Sequence, residues 1–496
     1  MAARSISLFK PARNCYRKAR AHRASLLVDG EAYFRAFAQA ALRATRSIVI
    51  LGWDFHSKTR LHEPARETHG PGVPDLVGDF LNFLAERTPR LQIFVLTWEA
   101  PRGFGRGREA RAGTPGGWQP HGRVTVHYDS NCPLGGALHQ KIVVIDGKLA
   151  FCGGTDLTLR RWDTPEHTWA DPERTNVGDS ESYRPIHDVM LAVDSGAARA
   201  LQILASNRWQ VATGRKLPLV HAESDPWPAS LTVMFSDVEV ALARTVPDCA
   251  GRNAVKEVEA LYLDMIAAAQ RYIYIENQYF TAKGLGEALA ARLADPHGPE
   301  VVVVSRLDSS GWLEAPTMEA LRTVLLRQLQ DSDPYGRFSA WYPDSPGQPG
   351  CEVHSKLMIV DDEWLRVGSA NFANRSMGLD TECDLVIEAG GNPGKRVAIA
   401  AARNTLLAEH LGVGLHEVRE ALTLTRSVGA AVRALSNRSA ARTLRRFEHL
   451  DEPAVAVLAL ARGIADPDRP PLSGVRRVVE RVEVESLGAE AVLRES

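Results

Sequence analysis

Two short segments of the sequence carry the same set of residues able to do nucleophilic and acid–base chemistry. One reads HQKIVVID and begins at His139; the other reads HSKLMIVD and begins at His354. In each segment a lysine follows the histidine after one residue, and an aspartate follows the lysine after four. These residues are Lys141 and Asp146 in the first copy and Lys356 and Asp361 in the second.

The spacing within each copy suits chemistry on a phosphodiester. Because side chains alternate across a β-strand, a histidine and a lysine two residues apart project from the same face of a sheet. Of two facing imidazoles, one can attack phosphorus to form a phospho-histidine while the other protonates the departing alkoxide. The lysines neutralise the non-bridging oxygens. We therefore expect a site that needs neither a metal nor another cofactor.

The two segments belong to a long internal repeat with a constant offset of 215 residues. The same offset relates Asp156 to Asn371, and it places the pair Gly153–Gly154 opposite Gly368–Ser369. A period of this length indicates a duplicated domain. We expect Asn371 and Asp156 to lie in the pocket, next to the small pairs. The two motif aspartates are expected to hold turns through side-chain hydrogen bonds.

Short apolar strands alternate with helical segments in both halves. In the first half a helical segment at 31–45 leads to a strand at 47–53, and a helical segment at 75–87 leads to a strand at 90–98. This pattern predicts layered α/β domains with helices on both sheet faces. The predicted organisation is an N-terminal extension over 1–24, a first catalytic half over 25–215, a linker over 216–230, a second catalytic half over 231–415 and a helical, basic C-terminal extension over 416–496.

The composition is that of an ordinary globular protein. The 59 basic and 60 acidic residues give a net charge of −1, so no overall field attracts the chain to nucleic acid or membrane. Six scattered cysteines without a C-x-x-C pair argue against a zinc site or disulfide scaffold and suit a reducing compartment. The sequence shows neither a signal peptide nor an apolar run long enough to span a bilayer. We expect a cytoplasmic protein whose membrane contact is peripheral.

Two stretches have no counterpart in the repeat. The Gly/Arg-rich segment 101–123 is expected to be a loop, either over the mouth of the site or as a surface insertion. Beyond about residue 415, arginines recur along a helical segment, which either forms a solvated face or docks on anionic lipid headgroups. These arginines are Arg426, Arg433, Arg438, Arg442, Arg445 and Arg446.

Taken with the segments around them, the two motifs resemble the phospholipase D superfamily, whose signature is two HxKxxxxD motifs on a duplicated domain. The similarity is greatest to the phosphatidylcholine-hydrolysing group of plant and animal type, in a shorter form of bacterial character, and covers roughly residues 25–415. The segments that carry it are GGTDLTLRRWDTPEH (153–167), PIHDVMLAVDSGAARAL (185–201), YIYIENQYF (272–280), VHSKLMIVDDEWLRVGSANFANRSMGLDTECDL (353–385) and LLAEHLG (406–412). Ile186 departs from the tryptophan often found there, which bears on headgroup detail.

The resemblance implies a fold and a set of roles. The fold would be a duplicated α/β phospholipase D fold: two α-β-α sandwiches with mixed sheets, related by a pseudo-twofold axis, with the active site at their interface. His139 would be the nucleophile and His354 the general acid and base. The remaining implied roles are phosphate binding by Lys141, Lys356, Asn371 and Asp156, orientation of the histidines by Asp188 and Glu382, and support by Asp146, Asp361, Ser369, Gly154, Glu276, Asn277 and Gln278.

The expected activity is hydrolysis of the distal phosphodiester of a glycerophospholipid, giving phosphatidic acid and a free headgroup alcohol. Transfer to another alcohol is the expected side activity. The alternatives are a cardiolipin synthase-type phosphatidyltransferase, which normally carries membrane-spanning segments, and a nuclease or phosphodiesterase on the same fold, which needs a basic groove with stacking aromatics. We expect a monomer that meets a phospholipid surface and a water or alcohol acceptor, without nucleic acid. The lipid-binding modules that precede the core of plant and animal relatives are not expected.

Overall fold

The computed structural model describes most of the chain. The described residues are 7–61, 72–100, 108–179, 181–220, 222–249, 251–308, 314–345, 347–348, 350–436, 438–439, 442–448, 453–454, 457–458, 461–467 and 469–470. The strands of the first half are β1 (Arg17–Val28), β2 (Ser47–Gly52), β3 (Gln92–Trp98), β4 (Val124–Asp129), β5 (Ile142–Ile145), β6 (Leu149–Gly153), β7 (Ile186–His187) and β8 (Val189–Asp194). Those that follow are β9 (Phe235–Val246), β10 (Val255–Lys256), β11 (Tyr272–Asn277), β12 (Glu300–Ser305), β13 (Phe338–Asp344), β14 (Glu352–Val353), β15 (Lys356–Val360), β16 (Trp364–Gly368), β17 (Glu382–Glu388) and β18 (Thr443–Arg446).

Helices connect these strands and cover the sheet. They are α1 (Asp29–Ala41), α2 (Val77–Arg87), α3 (Ser195–Thr213), α4 (Glu257–Ala268), α5 (Lys283–Ala294), α6 (Glu314–Asp331), α7 (Asn374–Gly378), α8 (Pro393–Leu411), α9 (Leu415–Thr425) and α10 (Val428–Leu435). A short π-helical turn spans Ala461–Ala465. Among the described helices, none combines the length and apolar character needed to cross a bilayer.

The strand order is the same in the two halves. In the first half it runs β4-β3-β2-β5-β6-β8-β1, and in the second β13-β12-β11-β15-β16-β17-β9. In each half the first three strands are parallel and the rest antiparallel. The two halves therefore share one topology, as halves of a duplicated domain would. The twofold axis between the halves stays a prediction.

The two predicted sheets are joined edge to edge. Strands β1 and β9 pair antiparallel along most of their length, from Arg17 opposite Leu242 to Ala24 opposite Phe235. The result is one mixed sheet of 16 strands, with β18 added beside β13 and β10 beside β9. Strands β7 and β14 form a separate parallel pair that again links the halves.

The core lies in layers on both faces of this sheet. Every residue of β2, β5, β8 and β11 is buried, as expected for strands covered on both faces. One apolar cluster includes residues of α3 and α8 and runs across both halves. A second packs α1 and α2 on the first half, and a third packs α4 and α5 on the second.

The N-terminal boundary predicted at residue 24 falls inside β1. The first part of this strand alternates charged residues with Ala19 and Ala21, so its composition resembles that of a basic extension. In the folded chain Ala21 and Ala24 are fully buried in the continuous sheet. These small side chains fit β1 because the strand lies between β8 and β9 in the sheet.

The C-terminal region is not helical throughout. After α9 and α10 the chain forms β18, which extends the sheet at β13. The predicted row of arginines is consequently split between elements: Arg433 lies in α10, while Arg445 lies on β18 and forms an ion pair with Asp344. Residues 471–496 lie outside the described residues.

The segment 101–123 can be placed only in part, because residues 101–107 lie outside the described residues. In the remainder, Arg108 lies over the ring of Trp53 and donates to the backbone carbonyls of Trp53 and Trp98. The guanidinium carbon of Arg108 lies 4.5 Å from the centroid of the Trp53 ring. This part of the segment therefore packs against the ends of β2 and β3.

We expect Asp146→Ala to lower the free energy of unfolding by about 3 kcal/mol. The fully buried carboxylate accepts from the backbone N–H groups of Thr45, Arg46 and Ser47, and the residue has a φ of +53°. Alanine would leave those donors unpaired and would strain the left-handed backbone. Urea denaturation measures the effect.

Asp146→Asn is the matched control, because asparagine keeps one acceptor oxygen and tolerates a positive φ. It should lose clearly less stability than the alanine variant. An alanine variant as stable as the wild type would show that the carboxylate does not hold this turn.

Candidate active site

The two motif histidines lie where the halves of the chain meet. The backbone N–H of His139 donates to the carbonyl of Thr381, at 3.0 Å. The backbone N–H of His354 donates to the carbonyl of His187, at 2.8 Å. Each histidine is thus fixed through its backbone to a residue of the other half and lies just before the apolar strand of its motif, β5 or β15, rather than within it.

The side chains of these histidines are held by carboxylates that also come from the other half. Nδ1 of His139 lies 3.0 Å from each carboxylate oxygen of Glu382, and Nδ1 of His354 lies 2.7 Å from Oδ2 of Asp188. Hydrogen-bonding to a carboxylate places the proton on Nδ1 and leaves the Nε2 lone pair for chemistry. The sequence predicts both carboxylates as orienting groups, and the structure adds that the pairs cross between the halves.

Each carboxylate lies against the small residue that follows a short strand. Ser369, after β16, donates its hydroxyl to Glu382 at 2.5 Å, and Ser376 donates from α7 at 2.7 Å. At the equivalent place after β6, a Cβ on Gly154 would lie 2.1 Å from Oδ1 of Asp188. Glycine is therefore needed at 154 because Asp188 passes so close to the backbone.

The motif lysines have different partners. Lys141 is buried and forms an ion pair with Oδ2 of Asp156, at 3.2 Å. Lys356 is fully buried and donates to Oε1 of Gln278, at 3.0 Å. Each ammonium also donates to the backbone carbonyl of its own motif histidine. The structure therefore brings each lysine beside the histidine of its motif.

Asp156 and Asn371 occupy equivalent positions but differ in their contacts. Asp156 contacts Lys141 through one oxygen and accepts from the backbone N–H of Trp53 through the other, at 2.8 Å. Asn371 is buried, and its side-chain oxygen lacks a hydrogen-bond partner among the described residues. The structure thus places Asp156 as a partner of Lys141, while phosphate binding by either residue stays a prediction.

The remaining predicted residues lie behind the site. Glu276 accepts from Ser355, Tyr274 and two further histidines, and Asn277 accepts from the backbone N–H of Phe372. Asp361 accepts from the backbone N–H groups of residues 270–272, as Asp146 does for residues 45–47 in the other half. The motif aspartates therefore hold the chain where it enters β2 and β11.

Burial and the neighbouring cations keep both motif imidazoles neutral. Desolvation is the main cause that lowers the pKa of His139 well below its usual value, and Lys141 and Lys356 add to it. Desolvation likewise lowers the pKa of His354, with Lys356 and Arg161 as the next contributors. A neutral imidazole is the form in which Nε2 can act as a nucleophile.

Sequence reasoning missed Arg161. Its guanidinium lowers the pKa of His354. It also lowers the pKa of Asp188 and of Lys356, although burial and other neighbouring groups contribute more there. The residue lies in the segment RRWD, where a pair of arginines reads as an exposed turn. Arg161 belongs to neither motif, so the internal repeat does not point to it.

The sequence matches two family profiles and is similar to several known proteins. A family profile described as Phospholipase D matches residues 135–286 and 349–448, together just over half of the chain. A second, described as Cardiolipin synthase, PLD-like domain, matches residues 262–396. Phospholipase D A of Dictyostelium discoideum is 24% identical over 71% of this chain and 32% of its own length. Phospholipase D gamma 2 of Arabidopsis thaliana is 24% identical over 77% of this chain and 62% of its own length.

A solved structure shares the fold. The phosphatidylserine synthase of Haemophilus influenzae superposes with a TM-score of 0.56 at 13% sequence identity, covering 90% of this chain and 94% of that one. At this identity the similarity concerns the fold alone. The match extends over nearly all of both chains, so it includes both halves of the repeat.

We expect the basic limb of the pH profile of kcat/KM to lie near pH 7. Burial is the main cause that lowers the pKa of Lys356 to about 7, with Lys141 and Arg161 opposing Asp188. The charged lysine is the phosphate-binding form, and its population falls as the pH rises through this value. Lys356→Arg should move the limb up by more than about two pH units, because a guanidinium stays charged.

The matched control is Lys141→Arg, the same exchange in the other motif. It should lower the rate but leave the basic limb in place. A limb that stays near pH 7 in the Lys356→Arg enzyme would mean that another group sets it.

Proposed function

This chain belongs to the phospholipase D superfamily, and we propose that it hydrolyses the distal phosphodiester of glycerophospholipids to phosphatidic acid and a headgroup alcohol. The observation that carries the proposal is the crossed arrangement of two histidine–carboxylate pairs with a lysine beside each. Two oriented imidazoles in one site supply a nucleophile and an acid–base group. The lysines neutralise the phosphate.

In the first step Nε2 of His139 attacks phosphorus and a P–N bond forms. The bond from phosphorus to the headgroup oxygen breaks, and the imidazolium of His354 gives its proton to that oxygen. In the second step the neutral His354 takes a proton from water as the water oxygen attacks phosphorus. The P–N bond breaks, phosphatidic acid leaves, and both histidines return to their starting forms.

Substrate binding allows His354 to take up from solvent the proton that it needs. Without substrate, burial and the cations hold both imidazoles neutral. The negative charge of a phosphodiester opposes Lys141 and Lys356, so it raises the affinity of the site for one proton. Asp188 then stabilises the imidazolium of His354 from the far side of the ring.

A phosphatidyltransferase is the second candidate. The matching profile described as Cardiolipin synthase, PLD-like domain and the fold shared with a phosphatidylserine synthase favour it. The first chemical step would be the same, because both reactions pass through a covalent phospho-enzyme. The candidates differ only in whether water or an alcohol opens the P–N bond.

The first test is incubation with mixed phosphatidylcholine and phosphatidylethanolamine vesicles, with and without ethanol. We expect phosphatidic acid in water and additional phosphatidylethanol when ethanol is present, both measured by lipid mass spectrometry. His139→Ala should abolish both products. The control is His297→Ala, which changes an exposed histidine outside both motifs. This variant should still form both products.

The outcomes separate the candidates. Product that forms only with an alcohol acceptor would favour the transferase. Turnover of a simple phosphodiester that depends on His139, without any lipid product, would keep the mechanism and reject the lipid substrate. Lipid cleavage that survives His139→Ala would reject the mechanism.

A second prediction concerns the separate roles of the histidines. With phosphatidyl-p-nitrophenol, whose leaving group departs without protonation, His354→Asn should release one equivalent of nitrophenol in a burst and then stall. The variant lacks the base that activates water, so the phospho-histidine accumulates and can be located by mass spectrometry at His139. Steady turnover should fall by about 10²–10⁴-fold.

His139→Asn is the matched variant and should give no burst. A burst in this variant, together with phosphorus on His354, would exchange the two roles.

A further inference from the structure

A second group of histidines and carboxylates lies buried behind the motif histidines. It consists of Asp29 at the start of α1, His167 in the connection from β6 to β7, His187 in β7 and Glu409 in α8. Their exposed fractions are 1%, 7%, 0% and 6%. We call these four residues the inner cluster. Four ionisable groups at such depth need mutual neutralisation or a bound ion.

The atoms that face one another are spaced as metal ligands are. Nδ1 of His187 lies 2.6 Å from Oε1 of Glu409 and 3.0 Å from Oδ1 of Asp29. Nε2 of His167 lies 3.2 Å from Oε1 of Glu409 and 3.7 Å from Oδ2 of Asp29. A tetrahedral cation with bonds of about 2.0–2.2 Å holds its ligand atoms about 3.3–3.6 Å apart. The observed separations, from 2.6 to 3.7 Å, span this range.

The other nitrogen of each ring donates to a carboxylate. Nδ1 of His167 lies 2.9 Å from Oδ2 of Asp163, and Nε2 of His187 lies 2.9 Å from Oε2 of Glu276. These hydrogen bonds place the proton of each neutral ring on its outer nitrogen. The inner nitrogens, Nδ1 of His187 and Nε2 of His167, then face the carboxylates of the cluster, and Nε2 lies within hydrogen-bond distance of Glu409. Metal-binding histidines usually have an outer carboxylate of this kind.

Two atoms of the inner cluster are left without a hydrogen bond. Nδ1 of His187 and Oδ2 of Asp29 are buried and have no hydrogen-bond partner within the described part of the chain. Nδ1 is only 2.6 Å from Oε1 of Glu409, yet the angles do not allow a hydrogen bond. Buried polar atoms are rarely unsatisfied, and each such atom is destabilising. A cation at the centre would satisfy both.

The alternative is that the histidines themselves carry the positive charge. Burial lowers the pKa of His187, but Glu409, Glu276 and Asp29 together raise it well above its usual value. An imidazolium at His187 would carry a proton on Nδ1 as well. That proton would lie near carboxylate oxygens of Glu409 and Asp29 but, among the described residues, at angles poor for a hydrogen bond. A cation coordinated through the lone pair avoids this unpaired donor.

We propose that Asp29, His167, His187 and Glu409 bind one zinc-type divalent cation. Two imidazole nitrogens and two carboxylate oxygens suit zinc, and two negative charges balance a divalent ion. Because the protein supplies four ligands, no position remains for water or substrate. The ion is therefore structural and lies outside the proposed reaction.

The site ties the two halves together beneath the catalytic carboxylate. Three ligands come from the first half, whereas Glu409 comes from the second. The backbone N–H of Asp29 donates to the carbonyl of Asp188 at 2.8 Å, and His187 directly precedes Asp188. The cation thereby fixes the segment whose carboxylate orients His354.

The test uses the full-length protein without a polyhistidine tag, expressed with added zinc and dialysed against metal-free buffer. Mass spectrometry should find about one zinc per chain. X-ray absorption at the zinc edge should show four nitrogen or oxygen neighbours at about 2.0 Å, with the outer scattering of imidazole and no sulfur. A strong chelator should lower the melting temperature, and zinc should restore it.

Asp29→Asn and Glu409→Gln remove one charged ligand each with little change of shape. Either should reduce the bound zinc at least about fivefold. Glu257→Gln is the matched control, because Glu257 is equally buried but pairs with Arg244 on another part of the sheet. It should keep the zinc.

The wild-type measurements decide the question even where a variant fails to fold. A protein with less than about one tenth of a zinc per chain after supplementation would overturn the proposal and leave the imidazolium arrangement. Zinc retained in both ligand variants, or sulfur neighbours in the absorption spectrum, would also overturn it. None of these results depends on catalytic activity.

Discussion

The structure depends on the exchange of carboxylates between its two halves. Glu382 orients His139 and Asp188 orients His354, so neither half holds an oriented imidazole by itself. Burial raises the pKa of both carboxyl groups, and hydrogen-bond donors together with nearby lysines oppose this by stabilising each anion. Docking of the halves through β1 and β9 is therefore a condition for an ordered site as well as for a covered core.

The same docking gathers three cations around His354. Lys141, Lys356 and Arg161 all act on its ring, and burial leaves little water to screen them. The carboxylates of Asp156, Asp188 and Glu382 lie among these groups. A bound phosphodiester would add one negative charge beside the two lysines, which favours protonation of an imidazole in the complex.

How much of this follows from sequence depends on how local each signal is. The HxK spacing and the apolar runs are local, so the motif strands and the repeat were predictable. The start of β1 resembles an N-terminal extension in sequence, because its alanines become buried only when β8 and β9 pair with the strand. The crossing of Glu382 to His139 and the inner cluster join residues more than two hundred positions apart, which no spacing rule detects.

Duplication leaves two similar histidines, and the residues around them make the copies unequal. The charge of Lys141 is compensated by Asp156, whereas Lys356 contacts the neutral side chains of Gln278 and His354. Asp156 and Asp380 also oppose the lysines at His139, but the leading charges at His354 are all cationic. This asymmetry supports the proposed division of roles, with His139 as the nucleophile and His354 as the proton donor to the leaving alkoxide.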